Sequence, residues 1–449
     1  MPWKWIGVVF LCLADASMAR AAEAHAPLDL PVWTVVPFII LLLCIAILPL
    51  VAEKWWHKNS NKAIISALVA VPVALYLLVV HFTTEQQALV PLGHEMFKYV
   101  TFIILLGSLF TVSGGIVFHG DPAPTPWANA AFLGAGAVLA NLIGTTGASV
   151  LLIRPLLRIN RPRRNTGHLP IFFIFTVSNV GGLLTPLGDP PLFLGFLNGV
   201  PFAWTLTLWK EWLLVNGLVL ALFVAWDGLA YRREAVQATM AGEGRPWRVE
   251  GLINLPLLAG IIAGVLVQGI IEGERGDALG AALMVVMGIL SLLVTPKELR
   301  TANGFSWFPI IEVAVLFIGI FVAMVPALEL LKLRGADFGI SEPWQYFWLT
   351  GVLSAFLDNA PTYLAFTTLA AGADPIGALA STQPQLLAAI STGAVFLGSM
   401  TYIGNGPNFM VKAIAEESGY KMPTFFGFLG YSCACLLPIF VLVTFVFFR

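Results

Sequence analysis

The sequence predicts an all-α polytopic membrane protein: two inverted copies of about five transmembrane helices each, every copy carrying one re-entrant hairpin and one broken helix. Three observations carry this prediction. The first is composition: 58% of the 449 residues are hydrophobic and only 11% charged, whereas about a quarter of the residues of soluble domains are charged. The second is the stretch 185–193, Thr-Pro-Leu-Gly-Asp-Pro-Pro-Leu-Phe, which interrupts the apolar segment 170–200 with a carboxylate, a glycine and three prolines. No α-helix runs unbroken through it. The third is its echo at 401–409, Thr-Tyr-Ile-Gly-Asn-Gly-Pro-Asn-Phe, which aligns Thr185 with Thr401, Gly188 with Gly404, Asp189 with Asn405, Pro191 with Pro407 and Phe193 with Phe409. Broken membrane helices at corresponding places of two halves mark a transporter built from repeats.

Taken in order, residues 1–26 read as a secretory signal peptide or an N-terminal anchor. They carry Lys4, a short apolar run over 5–13, and small-residue cleavage candidates at 19–21 and 22–24. Either reading puts residues 27–31 outside the cytoplasm, with a bacterial inner membrane as the home. The segment 33–52 ends in Lys54, His57, Lys58 and Lys62 and is therefore expected to run inward, since basic residues gather on the cytoplasmic side. Segment 63–80 returns outward and 97–117 runs in. Two apolar pieces, 127–140 and 148–157, follow around Asn141-Leu-Ile-Gly-Thr-Thr-Gly147, and the second ends in Arg154, Arg158, Arg161, Arg163 and Arg164. A cytoplasmic start and a cytoplasmic end require a hairpin with its tip in the membrane. Such a tip is tolerated where protein or a watery cavity satisfies its backbone.

The broken helix then crosses outward and 212–229 returns, which closes a first repeat over 27–233. Residues 234–250 are a polar cytoplasmic linker, and the second repeat occupies 251–449. There, 252–271 runs out, 278–294 runs in to Lys297 and Arg300, and 309–330 runs out. A second hairpin over 344–371 has Asp358-Asn-Ala-Pro-Thr362 at its tip, 386–414 is the second broken helix, and 425–448 leaves the C-terminus outside. The interval from Asn141 to Gly188 matches that from Asn359 to Gly404 to within two residues. The first copy starts outside and the second inside, so both tips and both breaks are expected at one midplane site.

Ionisable groups deep in membrane segments are costly and mark function. Asp189 and Asp358 stand out, either as ion ligands or as caps of half-helices. Asn141, Asn359, Asn405, Thr145, Thr146, Thr185, Thr362 and Thr401 supply neutral oxygens beside them, which suits a hard cation such as Na⁺. Ser178 and Asn179 precede the first break and support that shell, and Glu312 is a third acid, either functional or interfacial. Lys98, Lys210, Asp227 and Glu53 read as snorkelling charges near segment ends. Cys12, Cys44, Cys433 and Cys435 lack redox or metal spacing, the six histidines form no zinc motif, and no basic face suggests nucleic acid.

With its paired hairpins, Gly-Asp-Pro-Pro at 188–191, Gly-Asn-Gly-Pro-Asn at 404–408 and the tip Asp358-Asn-x-Pro, the chain resembles the ion transporter superfamily. Within it the likeness is to NhaD-type sodium/proton antiporters and to citrate-transporter-like proteins. The resemblance implies an elevator-type transporter, usually a homodimer in the lipid, without a cofactor. It implies that Asp358 and Asn359 bind the ion at one tip, Asn141, Thr145 and Thr146 lie at the other, and Asp189 and Asn405 sit at the breaks; Asp358, Asn359, Asp189 and Asn141 are then the metal-ion ligands. Neither tip carries the Ser-Asn-Thr of the superfamily's dicarboxylate carriers, and Leu192 stands where relatives often have Asn. Exchange of Na⁺ or Li⁺ against H⁺ is the expected function, with Na⁺- or H⁺-coupled transport of citrate or a related carboxylate as the alternative. An intramembrane protease would need a catalytic pair that the sequence does not offer, so no enzyme is expected.

Overall fold

The computed structural model describes residues 27–121, 123–234, 245–271 and 273–449. The expected leader or anchor, with Cys12, and residues 235–244 of the expected linker lie outside the described residues. The first half contains α1 (Val36–Val51), α2 (Asn59–Thr83), α3 (Leu89–Ser113), β1 (Val117–Asp121), α4 (Pro126–Ile159), α5 (His168–Thr176), α6 (Pro190–Leu197) and α7 (Trp209–Arg232). The second contains β2 (Arg245–Glu250), α8 (Asn254–Ile270), α9 (Glu274–Val294), α10 (Phe308–Ala323), α11 (Val325–Arg334), α12 (Pro343–Phe356), α13 (Asn359–Ala371), α14 (Pro384–Leu397), α15 (Gly406–Glu417) and α16 (Phe425–Phe447).

Among the described residues seven helices are long and apolar enough to cross a membrane, eight if the bent pair α10–α11 is one span. Ile39, Leu43, Leu68, Leu75, Leu293 and Phe445 lie exposed on these helices. In water such faces would be a liability; against lipid tails they are solvated. This is an integral multi-pass membrane protein.

α4 folds back on itself. Its 34 residues form two helical arms that meet at Gly144, whose φ of 77° only glycine adopts without strain. A straight helix would hold Asn129 and Asn160 roughly 46 Å apart at 1.5 Å per residue. Instead the two amides exchange hydrogen bonds of 2.9 and 2.8 Å. α12 and α13 form a second hairpin about Leu357 and Asp358, closed by an edge-on contact between Tyr346 and Phe366 at 6.4 Å.

The two breaks are built alike. A short 3-10 turn, Val180–Leu184 or Gly398–Met400, precedes each, and Asp189 and Asn405 take extended backbone before a helix with proline in its first turn. A Cβ on Gly188 would lie 2.1 Å from the Gly182 carbonyl oxygen, and one on Gly404 would lie 2.6 Å from that of Gly398. Only glycine allows the chain to pass itself so closely.

Two expectations change. Residues 309–330 are not one straight crossing: α10 and α11 meet at 42°, because Pro326 has no N–H for Val322 and its ring crowds that carbonyl. The polar linker is not featureless either, since β2 pairs antiparallel with β1, Phe118 opposite Val249.

The strand pair belongs to one end of the molecule. There Arg158 donates to the Phe118 carbonyl at 3.2 Å, Arg154 to that of Asn303 at 3.3 Å, and Tyr420 to that of Leu157 at 2.6 Å. At the other end of α2, Gln86 donates to the Asp29 carbonyl at 3.4 Å and Arg334 pairs with Asp29 at 3.4 Å. Arg154 and Arg158 of one basic segment thus meet the strand pair and the residues that follow Lys297 and Arg300.

Candidate functional site

Asp189 is the centre at which both hairpins and both breaks meet. It stands at the N-cap position of α6 without a capping hydrogen bond from its side chain, and is 1% exposed. Its Oδ1 accepts from the Thr145 hydroxyl of the first hairpin at 2.9 Å and from the Asn405 amide of the second break at 3.0 Å. Its Oδ2 accepts from the Asn359 amide of the second hairpin at 2.7 Å. The Thr145 N–H also donates to the Gly188 carbonyl at 2.7 Å, which ties the first tip to the first break through the backbone. The donors are neutral, so the carboxylate charge is spread over hydrogen bonds without being cancelled.

Behind this layer, Asn405 also donates to the Ser178 carbonyl and to Asn179 Oδ1, both at 3.3 Å, and Asn179 donates to Asn408 Oδ1 at 2.7 Å. Ser178 shares its hydroxyl with Ser149 at 2.8 Å. Asn408, which sequence reasoning leaves out of the site, donates to the carbonyls of Gly398 and Thr401, both at 2.9 Å. Its place in the Gly-Asn-Gly-Pro-Asn motif was the available signal. The corresponding Leu192 is buried and apolar.

Several of the expected site residues bond to backbone groups. Asn141 is not among the cavity-lining residues: its amide donates to the Ala137 carbonyl at 3.1 Å and its Oδ1 accepts from the Leu184 N–H at 2.8 Å. Thr185 donates to the Asn141 carbonyl at 2.5 Å, and Thr401 correspondingly donates to that of Ala355. Thr362 turns back to the Asp358 carbonyl at 2.9 Å. These groups pin each break to the first arm of a hairpin or close a helix turn.

A cavity of about 260 Å³ adjoins the cluster, lined by Thr145, Thr146, Asp189, Asp358 and Asn405 and also by Phe102, Phe317, Lys62 and Glu312. Asp358 both lines it and caps α13, accepting from the Ala360 N–H at 3.0 Å, so capping and cavity exposure coexist. Asn359 Oδ1 is a buried acceptor without a donor among the described residues. Two carboxylates beside such an oxygen form the donor set a hard cation takes.

The snorkelling reading fails for two charges. Asp227 is wholly buried, 2.6 Å from Arg163 and 2.9 Å from His168. Lys98 is buried between Glu95 at 2.7 Å and Asn198 Oδ1 at 2.6 Å. Lys62 likewise belongs to no surface cluster: it is buried in α2 and holds Glu312 at 2.5 Å. Each sits where a partner from another segment meets it, which no local pattern encodes.

Electrostatically, α6, α13 and α15 begin at Asp189, Asp358 and Asn405, and the second arm of α4 resumes at Thr145. Hydrogen bonds join Thr145, Asn359 and Asn405 to Asp189. Several helix N-termini thus bring partial positive charge to one polar cluster within the bundle. Apolar spanning helices around broken helices, with a polar cluster on the wall of a largely apolar cavity, are the architecture of a membrane transport protein. The chain belongs to the family described as "Putative citrate transport", which matches residues 27–448. A comparison with curated proteins finds no match.

Proposed function

We propose that this protein is a secondary transporter that carries citrate or a related small carboxylate, coupled to Na⁺ or H⁺. The observation behind the reading is the convergence of helix N-termini on a 260 Å³ cavity. Helix N-termini favour negative charge, and the volume suits a small organic acid better than a bare ion cage. The family description points the same way. Asp189, Asp358 and Asn359 Oδ1 are then the place of the coupling cation, whose charge offsets that of the substrate. The likeness of the two breaks supports an inverted repeat with re-entrant hairpins and alternating access by an elevator-type movement, in a homodimer of the bacterial inner membrane with the basic loops cytoplasmic.

A second reading, exchange of Na⁺ or Li⁺ against H⁺, is favoured by the acids on the cavity: Asp189, Asp358, Glu312 and Glu53. Purified protein in liposomes separates the two. Uptake of labelled citrate driven by a Na⁺ or pH gradient is expected. Proton movement driven by Na⁺ in the absence of any carboxylate, with no citrate uptake, would instead establish the exchanger.

A further inference from the structure

The Lys62–Glu312 pair has no role in the cluster around Asp189, yet both residues line the same cavity. Among the described residues Lys62 is the one lysine or arginine that does so. Its side chain is 2% exposed, and its ammonium lies 2.5 Å from Glu312 Oε1. The rings of Trp56 and Phe308 stand 5.8 and 5.6 Å from it. Glu312 is the looser partner at 26% exposure. A buried ammonium flanked by aromatic faces cannot be left without an anion, because desolvation penalises the lone charge heavily. It can, however, trade one carboxylate for another at constant charge, and the carboxylate with water access is the one able to leave.

We infer that Lys62 is the specificity-determining cation for the anionic substrate and that Glu312 is its internal place-holder, which yields Lys62 to an arriving carboxylate and takes it back on release. The assignment rests on the carboxylate reading of function. It adds a site on α2 and α10, elements that lie outside both hairpins and both breaks. It also makes the two partners act in opposite directions: Lys62 attracts substrate, while Glu312 competes with it.

The test is labelled citrate uptake into liposomes by the wild type, Lys62→Gln, Lys62→Arg and Glu312→Gln, each checked for monodispersity and melting temperature. Lys62→Gln is expected to raise the citrate KM by roughly tenfold or more, and Lys62→Arg to restore much of that loss. Glu312→Gln is expected to lower the KM, because the competitor has lost its charge. Should Lys62→Gln or Glu312→Gln fail to fold, Glu312→Asp decides: it keeps a counter-charge but shortens its reach to Lys62, so a lowered KM is expected and a KM raised or unmoved overturns the place-holder assignment. A KM raised or unmoved in Glu312→Gln overturns the place-holder assignment while leaving the function standing. A wild type that transports no citrate overturns both.

Discussion

The Asn359 amide donates to Asp189 Oδ2 at 2.7 Å across 170 positions of sequence, and this bond joins the tip of the second hairpin to the break of the first half. Asp189 has extended backbone at the break and Asn359 opens α13 just after the hairpin turn, so each is held in place by a partner from the other half of the chain. Binding at either residue is therefore felt at both. That coupling frames the expectations below.

Asp189→Asn removes one unit of negative charge from a cluster whose donors are all neutral. If Asp189 binds the coupling cation, the apparent Na⁺ constant for citrate uptake should rise by about tenfold or more, since roughly 1.4 kcal/mol corresponds to each decade. Titrating uptake against Na⁺ checks this. A wild-type Na⁺ dependence in the variant would reduce Asp189 to a support of the helix break.

Asp358→Asn should separate structure from transport. Asn caps helices about as well as Asp, so α13 keeps its bond to the Ala360 N–H, and a neutral group costs less to bury. The variant is expected to purify as a stable, monodisperse protein with coupled transport abolished. Transport at the wild-type rate would remove Asp358 from the mechanism.

Gly188→Ala tests the geometry of the break. The new Cβ would meet the Gly182 carbonyl oxygen at 2.1 Å, backbone against backbone, with no flexible side chain to yield. Uptake should fall below detection and the melting temperature should drop. Gly217→Ala is the control, because nothing lies within 4 Å of a Cβ there.

Asp227→Ala should destabilise without touching the cavity. It leaves Arg163 with Glu234 as its remaining anion at 3.3 Å and strips His168 of its acceptor. Breaking a buried pair from one side costs about 3–5 kcal/mol. Thermal unfolding in detergent should show a large loss, and protein that remains folded should keep its citrate KM. An unchanged melting point would show that the network is solvated.

Membrane sidedness is open to labelling. Single cysteines at Arg164, beside the basic cluster, and at Asp374, after the second hairpin, are both exposed. An impermeant thiol reagent applied to whole cells is expected to label the second and spare the first. The reverse pattern would invert the proposed topology.

By itself the sequence determined that the chain is helical and membrane-embedded, where two of its helices break, and that Asp189 and Asp358 lie at breaks or tips; the bend between α10 and α11 it did not give. These follow from residues within a few positions of one another: glycine and proline forbid regular helix locally, and apolar length dictates a span. The fold-back at Gly144 was legible for a related reason, because the distribution of basic residues assigns the ends of both arms to one side of a membrane. Only the tertiary structure decided what each polar group does. Asn141, Thr185, Thr362 and Thr401 look like ligands in sequence but satisfy backbone groups, whereas Lys62, Lys98 and Asp227 look like interfacial charges but are buried with partners 250, 100 and 64 positions away. A helix break is a property of the residues that form it; the role of a buried charge is set by the counter-charge the fold delivers, because in low dielectric an ion's free energy depends on its nearest partner more than on its own segment.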